Sequence, residues 1–283
     1  MSNKDEHIII STPVASIYKK PNFTSELVTQ ALIWESLNIC GKEGNWYKIK
    51  QSSDGYTGWI HSFYIVDSRV KDENIKLQDP YNWYWVKDRF LELKSDNSQT
   101  YFISYGSLIP CLPNIDNTFY TVLPNNEKIA LDKKSLIKFN INGDIRQNVF
   151  KQHLLYSIKE LLGTPYLWGG KSSYGFDCSG LVQSIIKVST NFLLPRDSSL
   201  QIKSNFIKEM RSMQTPQVGD LIFFKINDNI NHVGLYINDI DFIHASGCVR
   251  INSINKKSKY YCKDLAINYY GTYKHKYYDI KFT

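Results

Sequence analysis

Residues 163–182 read Gly-Thr-Pro-Tyr-Leu-Trp-Gly-Gly-Lys-Ser-Ser-Tyr-Gly-Phe-Asp-Cys-Ser-Gly-Leu-Val. Their end opens an apolar pattern, Leu181, Val182, Ile185 and Ile186. The i, i+1, i+4, i+5 spacing predicts a helix buried along one side. Asp177 stands where an N-cap belongs. Cys178 then falls in the first turn, where backbone N–H groups and the helix dipole favour an anion. A thiol so placed can drop from about 8.5 toward about 3.5–7.5. Upstream, Val149, Leu154, Leu155, Ile158, Leu161 and Leu162 recur at helical spacing and stop at Gly163 and Pro165, so another helix is expected over 147–162. Gly170-Lys171-Ser172 has the tail of a phosphate loop, but Pro165 holds the place of its first glycine, which excludes a nucleotide site.

Downstream, Gly219-Asp220 reads as a turn, Leu221–Phe224 as a buried strand and 227–231 as a loop. His232–Ile237 alternates as a strand. Phe242–Ser246 reads as its hairpin partner across a short loop around Asn238–Asp241. His232 and His244 share one face if the loop between the two strands has an odd length. A lone cysteine or a lone strand histidine is usually packing. Two imidazoles facing a helix tip that bears a thiol form the layout of a Cys–His nucleophile with an orienting third group. The same three residues number enough for a zinc site, but no metal-ligand spacing motif accompanies them. Neither a metal nor a cofactor is expected.

The amino-terminal half has a different rhythm. Residues 8–18, 27–40 and 45–66 are rich in Ile, Val, Tyr and Trp, and are broken at Thr12-Pro13, Lys20-Pro21-Asn22, Gly44-Asn45 and Asp54-Gly55. Asp-Gly between apolar runs signals a hairpin. Short strands at this spacing suggest a small barrel. Tyr81–Lys87, Phe102–Gly106 and Phe119–Pro124 extend the β pattern through about 75–140, as a second barrel or as a β-rich linker. From 147 onward the pattern is α plus β.

Composition narrows the classes. The chain has 283 residues, with 34 Lys and Arg against 27 Asp and Glu, a formal net charge of +7. The basic residues form no dense block and no RNA-module signature is present, so no nucleic acid partner is expected. Five cysteines at 40, 111, 178, 248 and 262 are irregularly spaced with no Cys-x-x-Cys, which fits neither a zinc knuckle nor a disulfide framework. The apolar run Ile8–Ile10 is far shorter than a signal segment, and no stretch approaches the roughly 20 apolar residues of a membrane helix. A cytoplasmic protein with no membrane partner is the expectation; secretion after removal of a signal is the alternative. The oligomeric state is left open.

Two resemblances follow. Ser25–Ala31, Gly44–Lys50 and Asp54–Ile60 resemble the strands of a bacterial SH3-like domain. Gly163–Gly170, Asp177–Val182, Leu194–Ser198, Val218–Phe224, His232–Ile237 and Phe242–Gly247 resemble, in order, the motifs of the NlpC-type, papain-like cysteine peptidases of bacterial cell-wall metabolism. The resemblance implies an α+β fold: a papain-like catalytic domain preceded by one or two small β-barrel SH3-like domains. The expected boundaries are 1–70, 71–146 for a divergent second SH3-like domain or linker, and 147–283. It also implies Cys178 as nucleophile, His232 as base, His244 as the orienting group and Tyr166 as an oxyanion donor.

SH3-like units ahead of such a domain resemble the γ-D-glutamyl-L-diamino acid endopeptidases of murein peptide recycling. That implies a peptidoglycan-derived peptide substrate with a free L-Ala amine. Asp177, Ser179, Asp197 and Ser198 match the subfamily's amine subsite, and Glu35 matches a glutamate contributed by the first SH3-like domain. Ile33-Trp34 stands where the family usually shows Tyr-Gly. A secreted wall hydrolase and a non-catalytic wall-binding protein are the competing readings. The preferred diamino acid, diaminopimelate or Lys, is left open.

Overall fold

The computed structural model describes residues 7–67, 82–114, 118–139, 147–211 and 214–275. They form two compact units. The first holds the described residues up to 139 together with Trp168–Ser173. The second holds the described residues from 147 onward without that segment.

The first unit begins with a seven-stranded antiparallel sheet. Its strands are β1 (His7–Ile10), β2 (Val14–Tyr18), β3 (Leu27–Leu32), β4 (Ser36–Glu43), β5 (Trp46–Gln51), β6 (Thr57–His61) and β7 (Ile65–Asp67). Their order is β3-β2-β6-β5-β4-β1-β7. The Asp54-Gly55 turn joins β5 to β6, with the Tyr56 N–H donating to Asp54 Oδ1 at 3.0 Å. In β5 the alternation is plain: Ile49 and Gln51 are buried while Lys48 and Lys50 are exposed. Ile10, Ile17, Leu37, Ile49 and Ile60 meet in the core.

Eight short strands continue the unit: β8 (Trp83–Val86), β9 (Phe90–Lys94), β10 (Thr100–Ser104), β11 (Leu108–Pro110), β12 (Leu112–Pro113), β13 (Phe119–Val122), β14 (Lys128–Leu131) and β15 (Leu136–Lys138). They make a β9–β10 hairpin and two three-stranded sheets, β11-β8-β15 and β12-β13-β14. Val86, Leu93, Ile103, Ile109 and Ile129 share a second core, which Ile33 joins. Trp34 follows at φ +70°, a conformation unusual for so bulky a residue. Its indole N–H donates to Val122 O at 3.0 Å, and its ring meets Trp83 edge-on at 5.8 Å. Those contacts hold Trp34 in the left-handed backbone at the point where the sequence departs from the Tyr-Gly of the resemblance. Residues 71–81, the start of the expected second domain, lie outside the described residues.

Trp168–Ser173 is bound into this first unit at several points. The Lys171 N–H donates to Gln30 Oε1 at 2.9 Å, and the Ser173 N–H to Ser104 Oγ at 2.8 Å. Trp168 Nε1 donates to Glu26 Oε1 at 3.1 Å. The two-residue strands β16 (Lys171–Ser172) and β17 (Gly175–Phe176) lie on either side of Ser173.

The second unit packs helices on a six-stranded antiparallel sheet. The helices are α1 (Gln147–Leu161), α2 (Cys178–Thr190), α3 (Ser198–Gln201) and α4 (Lys263–Ile267). The strands are β18 (Ile207–Glu209), β19 (Leu221–Ile226), β20 (Asn229–Tyr236), β21 (Asp241–Ser246), β22 (Cys248–Ser253) and β23 (Tyr269–His275), in the order β18-β23-β19-β20-β21-β22.

Three expectations need correction here. The inner stripe of α1 is Phe150, Leu154, Ile158 and Leu161, whereas Val149, Leu155 and Leu162 are exposed. At 100° per residue, Phe150 and not Val149 lines up with Leu154 and Ile158. Helix α2 is buried along its whole length and on every side, not along one face. The loop expected over 227–231 is only a two-residue turn, because Asn227 (φ +49°) and Asp228 (φ +62°) accept the left-handed backbone a tight hairpin demands. The 238–241 hairpin is closed by Asn238 Oδ1, which accepts from the N–H groups of Ile240 and Asp241.

Gly58 marks a tight crossing in the first unit. A Cβ there would lie 2.4 Å from Ile17 Cγ2 and 3.0 Å from Tyr18 O. Neither the β-branched side chain nor the backbone oxygen has room to yield. Gly58→Ala is expected to destabilise the unit by about 1–3 kcal/mol, the usual cost of overpacking. Denaturant unfolding followed by tryptophan fluorescence checks this; an unchanged midpoint contradicts it.

Candidate active site

Asp177 sits at the head of α2 in extended backbone, and its Oδ1 accepts from the Gly180 N–H at 2.7 Å. The expected cap is in place. The same carboxylate takes a two-pronged bond from Arg196, Nη1 to Oδ1 at 2.9 Å and Nη2 to Oδ2 at 2.5 Å. Ser179 Oγ donates to Asp177 Oδ1 at 3.3 Å and accepts from Arg196 Nη1 at 3.0 Å. Gln201 Nε2 donates to Ser179 O and Pro195 O, tying α3 to α2. All four residues are buried. Arg196 and Gln201 were not singled out by sequence. Arg196 follows a proline in the 194–198 motif, and only the need of a buried carboxylate for a partner could have marked it.

Cys178 follows directly and is 8% exposed. Its Sγ lies 3.8 Å from Asn231 O and accepts the Val233 N–H, so the thiol rests on the backbone either side of His232. Burial, and next the Asp177 charge, push the thiol up to about 11, against the opposing N–H groups of Val233 and Ser179. The helix start alone does not yield a thiolate here. Desolvation outweighs it, contrary to the sequence expectation.

His232 and His244 face each other, Nε2 to Nδ1, at 2.7 Å. Burial, and next the neighbouring His244, lower His232 to about 3. Burial also lowers His244, as does Arg250, while Asn252 works the other way. Both imidazoles are therefore neutral near pH 7. Gly234 makes this meeting of rings possible. A Cβ there would lie 2.8 Å from Ile243 O and 3.3 Å from His244 Cβ.

The row of polar groups runs one residue further than expected. His244 Nε2 lies 2.8 Å from Asn252 Oδ1, and Asn252 Nδ2 donates to Tyr260 O at 3.2 Å. The period of two in Cys248–Ser253 carried the signal, since it aligns Asn252 with Arg250, the partner of His244.

Tyr166 is half-buried, and its N–H donates to Gly247 O at 2.9 Å. Burial first, then the charges of Cys178 and Asp177, push its phenol up to about 12. It is thus a neutral O–H donor in the neighbourhood of the thiol. Asp197 is half-buried at the head of α3 and makes no capping bond, and Ser198 beside it is buried.

Glu35 belongs to the first unit. Lys171 Nζ lies 3.1 Å from its Oε2, with side-chain exposures of 4% for the lysine and 18% for the glutamate. Gln51 Nε2 donates to the same Oε2 at 3.3 Å. This carboxylate already has a cation beside it. Among the described residues no group of three or more His, Cys, Asp or Glu is arranged to hold a metal ion, and no helix is long and apolar enough to cross a membrane.

In chemical terms, the second unit presents a thiol, an imidazole pair in line and a phenolic donor, a set suited to acyl transfer.

Comparison with known proteins agrees with that chemistry. Residues 163–268 match the NlpC/P60 family and residues 17–62 match the bacterial dipeptidyl-peptidase SH3 domain. The γ-D-glutamyl-L-lysine dipeptidyl-peptidase of Bacillus cereus is 28% identical over 232 residues, 78% of this chain and 68% of that one. A crystal structure of an NlpC/P60 family protein from Bacillus cereus shares the fold, with a TM-score of 0.81 at 23% identity, covering 95% of this chain and 99% of that one. A probable endopeptidase of Haemophilus influenzae is 44% identical over 121 residues, 41% of this chain and 73% of that protein. Identity at that level, across nearly three quarters of a relative, is common ancestry: this chain belongs to the NlpC/P60 family of cysteine peptidases.

Proposed function

We propose that the protein is a cysteine endopeptidase that hydrolyses the γ-D-glutamyl–diamino acid amide of peptidoglycan stem peptides carrying a free N-terminal L-Ala. The observation that carries the peptidase reading is the Cys178 thiol at the tip of a buried helix, resting on the backbone either side of His232, whose ring meets that of His244. The substrate class rests on likeness to a relative named γ-D-glutamyl-L-lysine dipeptidyl-peptidase.

The mechanism follows from neutral starting groups. Cys178 Sγ attacks the amide carbonyl carbon as its proton passes to His232 Nδ1, the nitrogen not engaged by His244. Tyr166 donates to the oxyanion, and its phenol is never ionised at the working pH. One such donor is typically worth about 2.7–4 kcal/mol of barrier. Collapse breaks the C–N bond, and the departing amine takes the proton from His232. A water, deprotonated by His232, then hydrolyses the thioester and returns the thiol. The amine of L-Ala needs an anion. By the resemblance to the subfamily's amine subsite, Asp197 at the head of α3, with Ser198 beside it, is the second unit's candidate alongside Asp177.

Three outcomes test this. Cys178→Ala and His232→Ala are each expected to abolish cleavage of L-Ala-γ-D-Glu-Lys and its diaminopimelate counterpart, followed by mass spectrometry, with near-native circular dichroism. Turnover close to wild type in either variant removes that residue from the mechanism.

Iodoacetamide should alkylate Cys178 of the free enzyme faster and faster from pH 7 to 10, because a raised thiol pKa puts the thiolate on the alkaline side. A rate already level by pH 7 would show a preformed ion pair instead.

The free-amine peptide should be cleaved far faster than its N-acetyl form. Asp197→Asn should raise KM for the former about tenfold or more, the weight of a charge-assisted bond, and leave the latter unmoved. Equal cleavage of the two peptides by the wild type sinks the amine subsite.

A further inference from the structure

We propose that Asn252 is a positioning residue for the Cys178–His232–His244 line: its amide dictates which nitrogen of each imidazole carries the proton. The inference rests on the reading of His232 as base.

An amide side chain has a donating end and an accepting end. Tyr260 O can only accept, so the Asn252 NH2 must face it across 3.2 Å. That carbonyl is itself fixed, since the Ser253 N–H also donates to it at 2.9 Å and the Cys262 N–H donates to Ser253 O at 2.9 Å. Asn252 Oδ1 is thereby turned to His244 Nε2 at 2.8 Å. An amide oxygen has no proton to give, so His244 Nε2 carries one.

Burial keeps His244 neutral. Its Nδ1 is then a bare lone pair, which accepts from His232 Nε2–H across 2.7 Å. His232 is neutral as well, so its Nδ1 is bare and able to take a proton. One backbone carbonyl, read through one amide, thus arms the base two residues away. Strand register supplies the alignment. Asn252 stands opposite Phe242 and Arg250 opposite His244, so all four project from the same face of the β21–β22 pair.

Without Asn252 the opposite arrangement opens. His244 protonated on Nδ1 donates to His232 Nε2, and the His232 proton moves to Nδ1, where it blocks the base. The titratable and charged groups around His244 are His232 on β20, Arg250 on β22, and Cys178 with Asp177 at the tip of α2, which packs on β20 and β21.

Two variants and one spectroscopic readout test the inference. Asn252→Leu should lower kcat about 10–100-fold with little change in KM, the scale of losing an outer partner of a functional imidazole. Asn252→Asp places an anion at His244 and favours its doubly protonated form, which donates from Nδ1. Its kcat/KM should be low near neutral pH and recover as the pH rises, moving the acid limb upward. A merely structural role lowers both variants alike with the profile unshifted.

The readout independent of turnover is 15N imidazole NMR of the wild-type protein. Both rings should carry the proton on Nε2, and Asn252→Leu should show mixed tautomers. A proton on His232 Nδ1 in the wild type, or unchanged tautomers in Asn252→Leu, overturns the inference. This holds even if no peptide tried is a substrate, so failure of the proposed activity and failure of the Asn252 role are told apart.

Discussion

A carboxylate removed from water sets the geometry of the thiol. Asp177 accepts the Gly180 N–H in the first turn of α2 and both prongs of Arg196 within a buried environment. Burying two charges costs several kcal/mol each, and a planar guanidinium fork is the geometry best able to offset it. The gain is position. The pair fixes where α2 begins, and the residue after the cap is Cys178. The same anchor has an electrostatic consequence, because the Asp177 charge adjoins the thiol and helps hold its proton in place.

That protonated thiol is matched by imidazoles kept uncharged by their surroundings. Burial opposes ions of both signs, so the buried line holds only neutral members. In the proposed mechanism charge develops in the step that uses it, when the attacking sulfur loses its proton to His232. A neutral relay has a requirement that an ion pair lacks. Its members must agree on where every proton sits, and hydrogen-bond partners of fixed polarity enforce such agreement.

Much of this was legible in the residues. Asp177 beside an apolar helical pattern gave the cap, and the period of two in the 232–237 and 242–246 stretches put two histidines on one face. Local rules suffice where neighbours in sequence make the contact. They failed where distant residues compete for the same space. Helix α2 is buried all round because of packing that no window of its own sequence reveals. Trp34 holds a left-handed backbone because Val122 and Trp83 receive its ring from far along the chain. The depressed thiol pKa expected from a helix start was reversed by desolvation, which depends on everything packed around the sulfur. Lys171 read as a failed phosphate loop, and its pairing with Glu35 spans 136 positions.

The segment Trp168–Ser173 bears on how such a chain can be taken apart. In sequence it lies inside the peptidase stretch, yet it packs with the amino-terminal unit. A fragment ended at residue 142 would leave Gln30 Oε1 without the Lys171 N–H, the Tyr105 N–H without Ser173 Oγ, and Glu35 without its lysine. The amino-terminal unit is therefore discontinuous in sequence. Recombination that swaps one barrel for another must bring six matching residues from the middle of the partner sequence, so the halves are bound to evolve as a set.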